Sequence, residues 1–219
     1  MFVSWLWGGF AVDNPTLTRF FALHFLLPFL ISGLTLIHIY HLHAWGSTNP
    51  LGVRSAPDKV PFHIYYTVKD FFGFMVFLTF FCYVIFFNSS IFSEVENYIP
   101  ANPLVTPTHI VPEWYFLFAY SILRSVGTKL GGTIGLLSGV CCLLFRIPGI
   151  AGYIKGLVFY GLVKFYFWVH VACFCLLTAG GYWPVAAPYS IVLYYRMIIF
   201  LSYYALVGYL CALWDELLS

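Results

Sequence analysis

From its first residue the chain alternates between long apolar runs and short connections dense in proline and glycine. Runs of about 20 apolar residues read as membrane-crossing helices, because a rise of about 1.5 Å per residue matches a hydrocarbon layer of about 30 Å. Five such spans are expected, at about 17–43, 68–90, 130–147, 154–179 and 189–214. The stretches NPLGVRSAPDKVPF, IPANPLVTPTHIVPEWY, RIPGIAG and GGYWPVAAPY separate them. The longest connection, about 91–129, holds an aromatic segment after Pro112, EWYFLFAYSILRSV. That segment suits a short helix lying on the membrane surface, with proline in its first turn. The fold class expected is all-α: a polytopic membrane protein of about five transmembrane helices plus this surface helix. No internal repeat is evident, so residues 1–219 read as one membrane domain.

Composition strengthens the membrane reading. A soluble domain carries roughly 25% charged residues, whereas this chain carries 8% against 62% hydrophobic. A net charge of +2 without a basic run argues against a nucleic-acid partner. The opening MFVSWLWGGF has neither a basic signal-peptide start nor an Arg- and Ser-rich import pattern. A chain this apolar without an address is expected to be made where it is used, in a bacterium or from an organelle genome. Arg54, Lys59, Lys69, Arg146 and Lys155 on one side, against Arg19, Arg124 and Lys129 on the other, place loop 44–67 and the C-terminus inside. Six cysteines without metal-type spacing read as free thiols packed in helices. Asp13 and Arg19, ahead of the first span, read as a structural pair.

The first span carries His24, His38, His41 and His43. His24 and His38 are 14 residues apart, about 40° short of four helical turns, so both rings leave one face about 21 Å apart along the axis. Two imidazoles so placed can hold two haem irons stacked across a bilayer. Buried histidines bonded to carbonyls or waters explain the same geometry equally well. His43, Ser47, Lys69 and Asp70 fall at the inner end of the first two spans. Such a set can hydrogen-bond a quinone carbonyl and pass it protons, although solvated interfacial residues fit the spacing too.

The stretches WGGFAVDNPTLTRFFALHFLLPF (7–29), GSTNPLGV (46–53), PFHIYYTVKD (61–70) and PEWYFLFAYSILRS (112–125) resemble mitochondrial-type cytochrome b. That family is the membrane core of quinol–cytochrome c oxidoreductase, respiratory complex III. The resemblance continues through PANPLVTPTHI, KLGG and GGYWPVAAPY, and is weakest in the third and fourth spans. It covers only the fourth to eighth of the family's eight helices. The chloroplast-type complex also has a split cytochrome b, but its C-terminal piece starts after the histidine helix. This chain therefore reads as the C-terminal fragment of a split, complex III-type cytochrome b, and Met1 favours a separate gene product.

The resemblance implies two b-type haems shared with a second chain, His24 ligating the low-potential haem iron and His38 the high-potential one. An N-terminal cytochrome b fragment would supply the other two ligands and complete the helix bundle. Glu113, Tyr115 and Tyr120 match the outer quinol site, with Glu113 as proton acceptor. His43, Ser47, Lys69 and Asp70 match the inner quinone site. The implied activity is electron transfer from ubiquinol at the outer site, through the haems, to quinone at the inner site, coupled to proton translocation. Implied partners are the Rieske iron–sulfur protein, a membrane-anchored c-type cytochrome, a dimeric complex III able to join a supercomplex, and membrane lipid. The implied location is the mitochondrial inner membrane, ahead of a bacterial plasma membrane. Two other classes stay open. A haem-free quinone-site subunit, like the smaller chloroplast-type piece, leaves the paired histidines without a purpose. A non-redox proton transporter calls for a repeat or broken helices. The resemblance gives His41, His170, Lys164 and Arg196 no role; His170 reads as a carbonyl-bonded core histidine.

Overall fold

A computed structural model describes residues 1–100, 102, 104–142, 153–154 and 156–219. Its contacts divide the chain into two compact units, Met1–Thr48 and Asn49–Ser219.

The first unit is a short helix, α1 (Phe2–Trp7), followed by a long one, α2 (Asn14–Trp45). Gly8 ends α1 at φ 75°, a left-handed conformation that glycine adopts without strain. Asp13 then starts α2 through a capping box with Thr16, and Pro15 sits in the first turn, where no N–H is needed. The Thr16 hydroxyl donates to the Trp7 carbonyl at 2.5 Å. Arg19 Nη1 donates to the carbonyls of Trp5 at 2.5 Å and Leu6 at 2.9 Å. Asp13 and Arg19 thus serve opposite helix ends instead of each other: the carboxylate fills the donors opening α2, the guanidinium the carbonyls closing α1. Pro28 lies inside α2 and offers no N–H to the His24 carbonyl.

The second unit begins with α3 (Phe62–Phe87). Its first residues are not regular helix: His63 is extended, and Ile64 takes φ 81°, ψ −59°. A β-branched residue at positive φ is strained. The Ile64 N–H is satisfied by the Thr67 hydroxyl at 2.9 Å, so Thr67 closes the turn from which the regular helix departs. This kink explains why the apolar pattern placed the span start near 68.

Four more helices follow: α4 (Leu117–Ser125), α5 (Lys129–Cys141), α6 (Gly161–Gly180) and α7 (Tyr189–Leu218). Their core gathers Ile122 of α4, Cys173 and Leu177 of α6, and Leu193, Met197 and Phe200 of α7. A second cluster, Tyr160, Val163 and Cys211, holds the other end of the α6–α7 pair. Helix α4 is less superficial than expected, since Leu117, Ala119, Ser121, Ile122 and Ser125 are all buried. Gly132, Gly135 and Gly139 of α5 let it approach closely, facing Leu123 and Ile122. The Ser121 hydroxyl donates to the Leu177 carbonyl at 2.5 Å, which satisfies a polar group at the α4–α6 contact.

Among the described residues four helices are long and apolar enough to cross a membrane: α2, α3, α6 and α7. Helix α5 occupies the start of the third expected span with 13 residues. Residues 143–147 of that span lie outside the described residues. Helix α6 starts at Gly161, after a 3-10 turn at Leu157–Phe159, later than the expected 154.

Candidate functional site

The histidines of α2 come first, because that helix runs without interruption through both. His24 and His38 are exposed on the same face, and neither has a hydrogen-bond partner among the described residues. Their donor chemistry suits haem iron: two imidazoles carried on one continuous helix, with Pro28 between them. His43 sits in the last turn of α2, and Ser47 follows the Gly46 cap, where φ is 77°. Lys69 and Asp70 lie in the regular part of α3, about one and a half turns beyond the strained Ile64, and both are exposed. The first two residues of this set belong to the Met1–Thr48 unit and the last two to the other. No cluster of three metal-ligating side chains occurs among the described residues.

The residues expected at the outer site lie together in one segment of the second unit. Pro112 does not open a regular helix as expected. Glu113 is extended at φ −55°, ψ 152°, and caps a 3-10 turn, Trp114–Phe116, before α4 begins at Leu117. The turn is closed by the Phe116 N–H on the Glu113 carbonyl at 2.9 Å. The half-buried Glu113 side chain makes no cap bond, which leaves its carboxylate free of that structural duty. Tyr115 is exposed and lies between its ring neighbours, Trp114 at 5.5 Å and Phe116 at 4.7 Å. Tyr120, on α4, donates its hydroxyl back to the Ile110 carbonyl at 2.9 Å and so closes the loop carrying Glu113.

Three further residues join this region. The Arg124 guanidinium lies 4.8 Å from the Tyr120 ring centroid, within cation–π range. Its two terminal nitrogens donate to the carbonyls of Gly181 at 3.0 Å and Trp183 at 2.9 Å. From the same turn, the Tyr182 hydroxyl donates to Glu94 Oε1 at 2.6 Å. That hydrogen bond, then burial and the charges of Glu94 and Glu113, push the Tyr182 phenol above its ordinary 10.0. Beside these groups lies a cavity of about 280 Å³ lined by Glu94, Glu96, His109, Ile110 and Tyr182, among others. Sequence reasoning missed Glu94, Arg124 and Tyr182 as neighbours, because partners 57 to 88 residues apart leave no local pattern.

His170 is a core residue, 9% exposed, as expected. Its ring stacks 4.5 Å from both Phe200 and Tyr203, and Nε2 lies 3.3 Å from the Tyr204 hydroxyl. The ring thus meets the Tyr204 phenol, with the Phe200 backbone as a further hydrogen-bond partner. The six cysteines are free thiols, as their spacing suggested.

Two family models match the chain. One is described as cytochrome b (N-terminal)/b6/petB, over residues 1–95, and the other as cytochrome b (C-terminal)/b6/petD, over residues 100–201. Among curated proteins, cytochrome b of Paraspadella gotoi is 48% identical over 207 residues, covering 94% of this chain and 54% of that protein. Cytochrome b of Brachionus plicatilis is 49% identical over 214 residues, covering 96% and 55%. Among solved structures, a chain of a hyperthermophilic respiratory Complex III superposes with a TM-score of 0.87 at 30% identity, covering 98% of this chain and 56% of that one. The chain spans about half the length of these relatives.

Proposed function

Because the chain belongs to the cytochrome b family, we propose that it is the C-terminal fragment of a split cytochrome b, the membrane core of a quinol–cytochrome c oxidoreductase. Its activity is transmembrane electron transfer from ubiquinol at an outer site to quinone at an inner site, coupled to proton translocation. The observation that carries this reading is the placement of His24 and His38 on one face of the uninterrupted α2, about 21 Å apart along its axis. Bound there, b-type haem supplies a one-electron redox centre near each face of the membrane.

The chain's own residues divide the remaining work. His24 and His38 would each ligate one haem iron, and a second chain, equivalent to the N-terminal half of the family, would supply the remaining protein ligands. Glu113 holds the proton released by ubiquinol, on a carboxylate that caps no helix. Tyr115 and Tyr120 frame that site, Tyr120 by fixing the Ile110 carbonyl. His43, Ser47, Lys69 and Asp70 bind quinone at the inner face and deliver protons to it. The Rieske iron–sulfur protein and a membrane-anchored c-type cytochrome are the electron-accepting partners. The assembly is a dimeric complex III in the mitochondrial inner membrane.

In the assembled complex, His24→Ala and His38→Ala are expected to abolish different b-haem absorption bands. Retention of both bands in both variants, measured by reduced-minus-oxidised spectra and a pyridine haemochrome assay, would sink the ligand assignment. Glu113→Gln is expected to slow quinol oxidation strongly without altering those spectra.

A further inference from the structure

The turn that follows α6 does more than join two helices. Its backbone and one of its side chains reach both walls of the outer region. The Gly181 and Trp183 carbonyls hold Arg124, Arg124 lies against the Tyr120 ring, and Tyr120 holds the Ile110 carbonyl, three residues before Glu113. In the other direction, Tyr182 reaches across 88 residues of sequence to Glu94. Glu94 and Ile110 both line the cavity of about 280 Å³, so one turn fixes that cavity from two sides.

The turn is itself immobilised. A Cβ on Gly181 would come within 2.7–3.0 Å of the Leu117 side chain and carbonyl, so the turn rests directly on the first residue of α4. Its N–H groups are occupied too: Gly181 bonds to Leu177 and Thr178, Tyr182 to Ala179, and Trp183 to Gly180. By contrast, the segments around Glu94 and Ile110 contain only short 3-10 turns and extended chain. Such segments have little order of their own and take it from the bonds that tie them to a rigid element.

We infer that the Gly181–Trp183 turn is the positioning element of the outer quinol site, with Tyr182 and Arg124 as its positioning residues. Neither contacts the reacting atoms in this role. Tyr182 holds the Glu94 wall, and Arg124, through Tyr120, holds the loop carrying Glu113. The inference rests on the outer-site reading of Glu113. Removing a tether lowers the fraction of molecules in the binding-competent arrangement, and apparent affinity falls by that fraction. The expected signature is a raised KM with little change in kcat.

The experiment measures quinol oxidation by the assembled complex with a short-chain ubiquinol. Tyr182→Phe and Glu94→Ala are each expected to raise KM about threefold with kcat within about twofold, the scale of losing one hydrogen bond of about 0.7 kcal/mol. Glu94→Gln keeps an acceptor oxygen for the Tyr182 hydroxyl and is expected to retain the parental KM. The double variant Tyr182→Phe with Glu94→Ala should lose no more than either alone. Arg124→Lys, which cannot fork to two carbonyls, should raise KM while b-haem spectra stay unchanged. An unaltered KM in Tyr182→Phe, or a Glu94→Gln variant as impaired as Glu94→Ala, overturns the inference. Glu113→Gln separates it from the reading beneath. Slow oxidation in Glu113→Gln with an unaltered KM in Tyr182→Phe defeats the positioning role alone. Undiminished oxidation in Glu113→Gln defeats the site reading, and the positioning role with it.

Discussion

A phenol bonded to a carboxylate has a titration that reports the bond. The Tyr182 hydroxyl donates to Glu94, and that contact is the main cause of its raised pKa. The protonated phenol is the donor, so the contact's contribution is complete below pH 10.0 and is lost as pH rises through the raised folded value. A difference ultraviolet titration against Tyr182→Phe should therefore show this tyrosine ionising later than a free phenol. Glu94→Ala should return it toward 10.0, and an unmoved titration would count against the bond in solution. With Tyr182 45% exposed, the effect on overall stability is small. That Glu113, Tyr115 and Tyr120 share one segment was legible in the sequence because they fall in one continuous motif. The Tyr182–Glu94 bond and the bonds of Arg124 to Gly181 and Trp183 were not, since those partners come from other elements and nothing in their immediate neighbours encodes the approach. His170 illustrates the same limit: its core position follows from the apolar run around it, but its stack between Phe200 and Tyr203 depends on how α6 meets α7.

At the scale of elements, hydropathy located α2, α3, α6 and α7, because burial in lipid imposes a long uniform signal. Their starts are another matter. The span beginning near 68 is set by the strained Ile64 and the Thr67 bond, and α6 waits for a 3-10 turn to finish. Helix α4 was expected on the membrane surface from its aromatic content, yet its Leu117–Ser121–Ile122 side packs into the bundle. Its amphipathic pattern suits either neighbour, lipid or protein; the packing of Ile122 against α6 and α7 and the close approach of the α5 glycines place it against protein. Gly132 is the tightest of these, since a Cβ there would overlap the Leu123 carbonyl oxygen of the chain leaving α4's core. Backbone cannot retreat as a flexible side-chain tip can. Gly132→Ala is therefore expected to cost about 1–3 kcal/mol, the usual range for overpacking. The loss should appear as a lower midpoint in thermal unfolding of the detergent-solubilised complex. Gly127→Ala, where an added Cβ meets nothing within 4 Å, serves as the control.

For the whole molecule, the decisive quantity is the proposed sharing of haem with a second chain. Each proposed iron has one ligand here, so the isolated chain should take up haem weakly and below stoichiometry. Co-expression with the N-terminal half of a relative should restore two haems with six-coordinate b-type spectra. Two tightly bound haems on the isolated chain would refute the sharing of ligands. The depth expected for His24 and His38 in a bilayer follows from a feature at the start of α2. Arg19 spans the α1–α2 junction with bonds to two carbonyls, so in a bilayer its charge is expected to hold that junction at the headgroup level. At 1.5 Å per residue, His24 then lies about 7.5 Å and His38 about 28.5 Å along the axis from that level. Helix α2, with 32 residues, is about 48 Å long and overshoots the hydrocarbon layer. An unanchored helix would slide to centre itself when the membrane thins. With Arg19 at the headgroup level, α2 is expected to accommodate by tilting, and membrane thickness would then enter the vertical separation of His24 and His38 as a cosine.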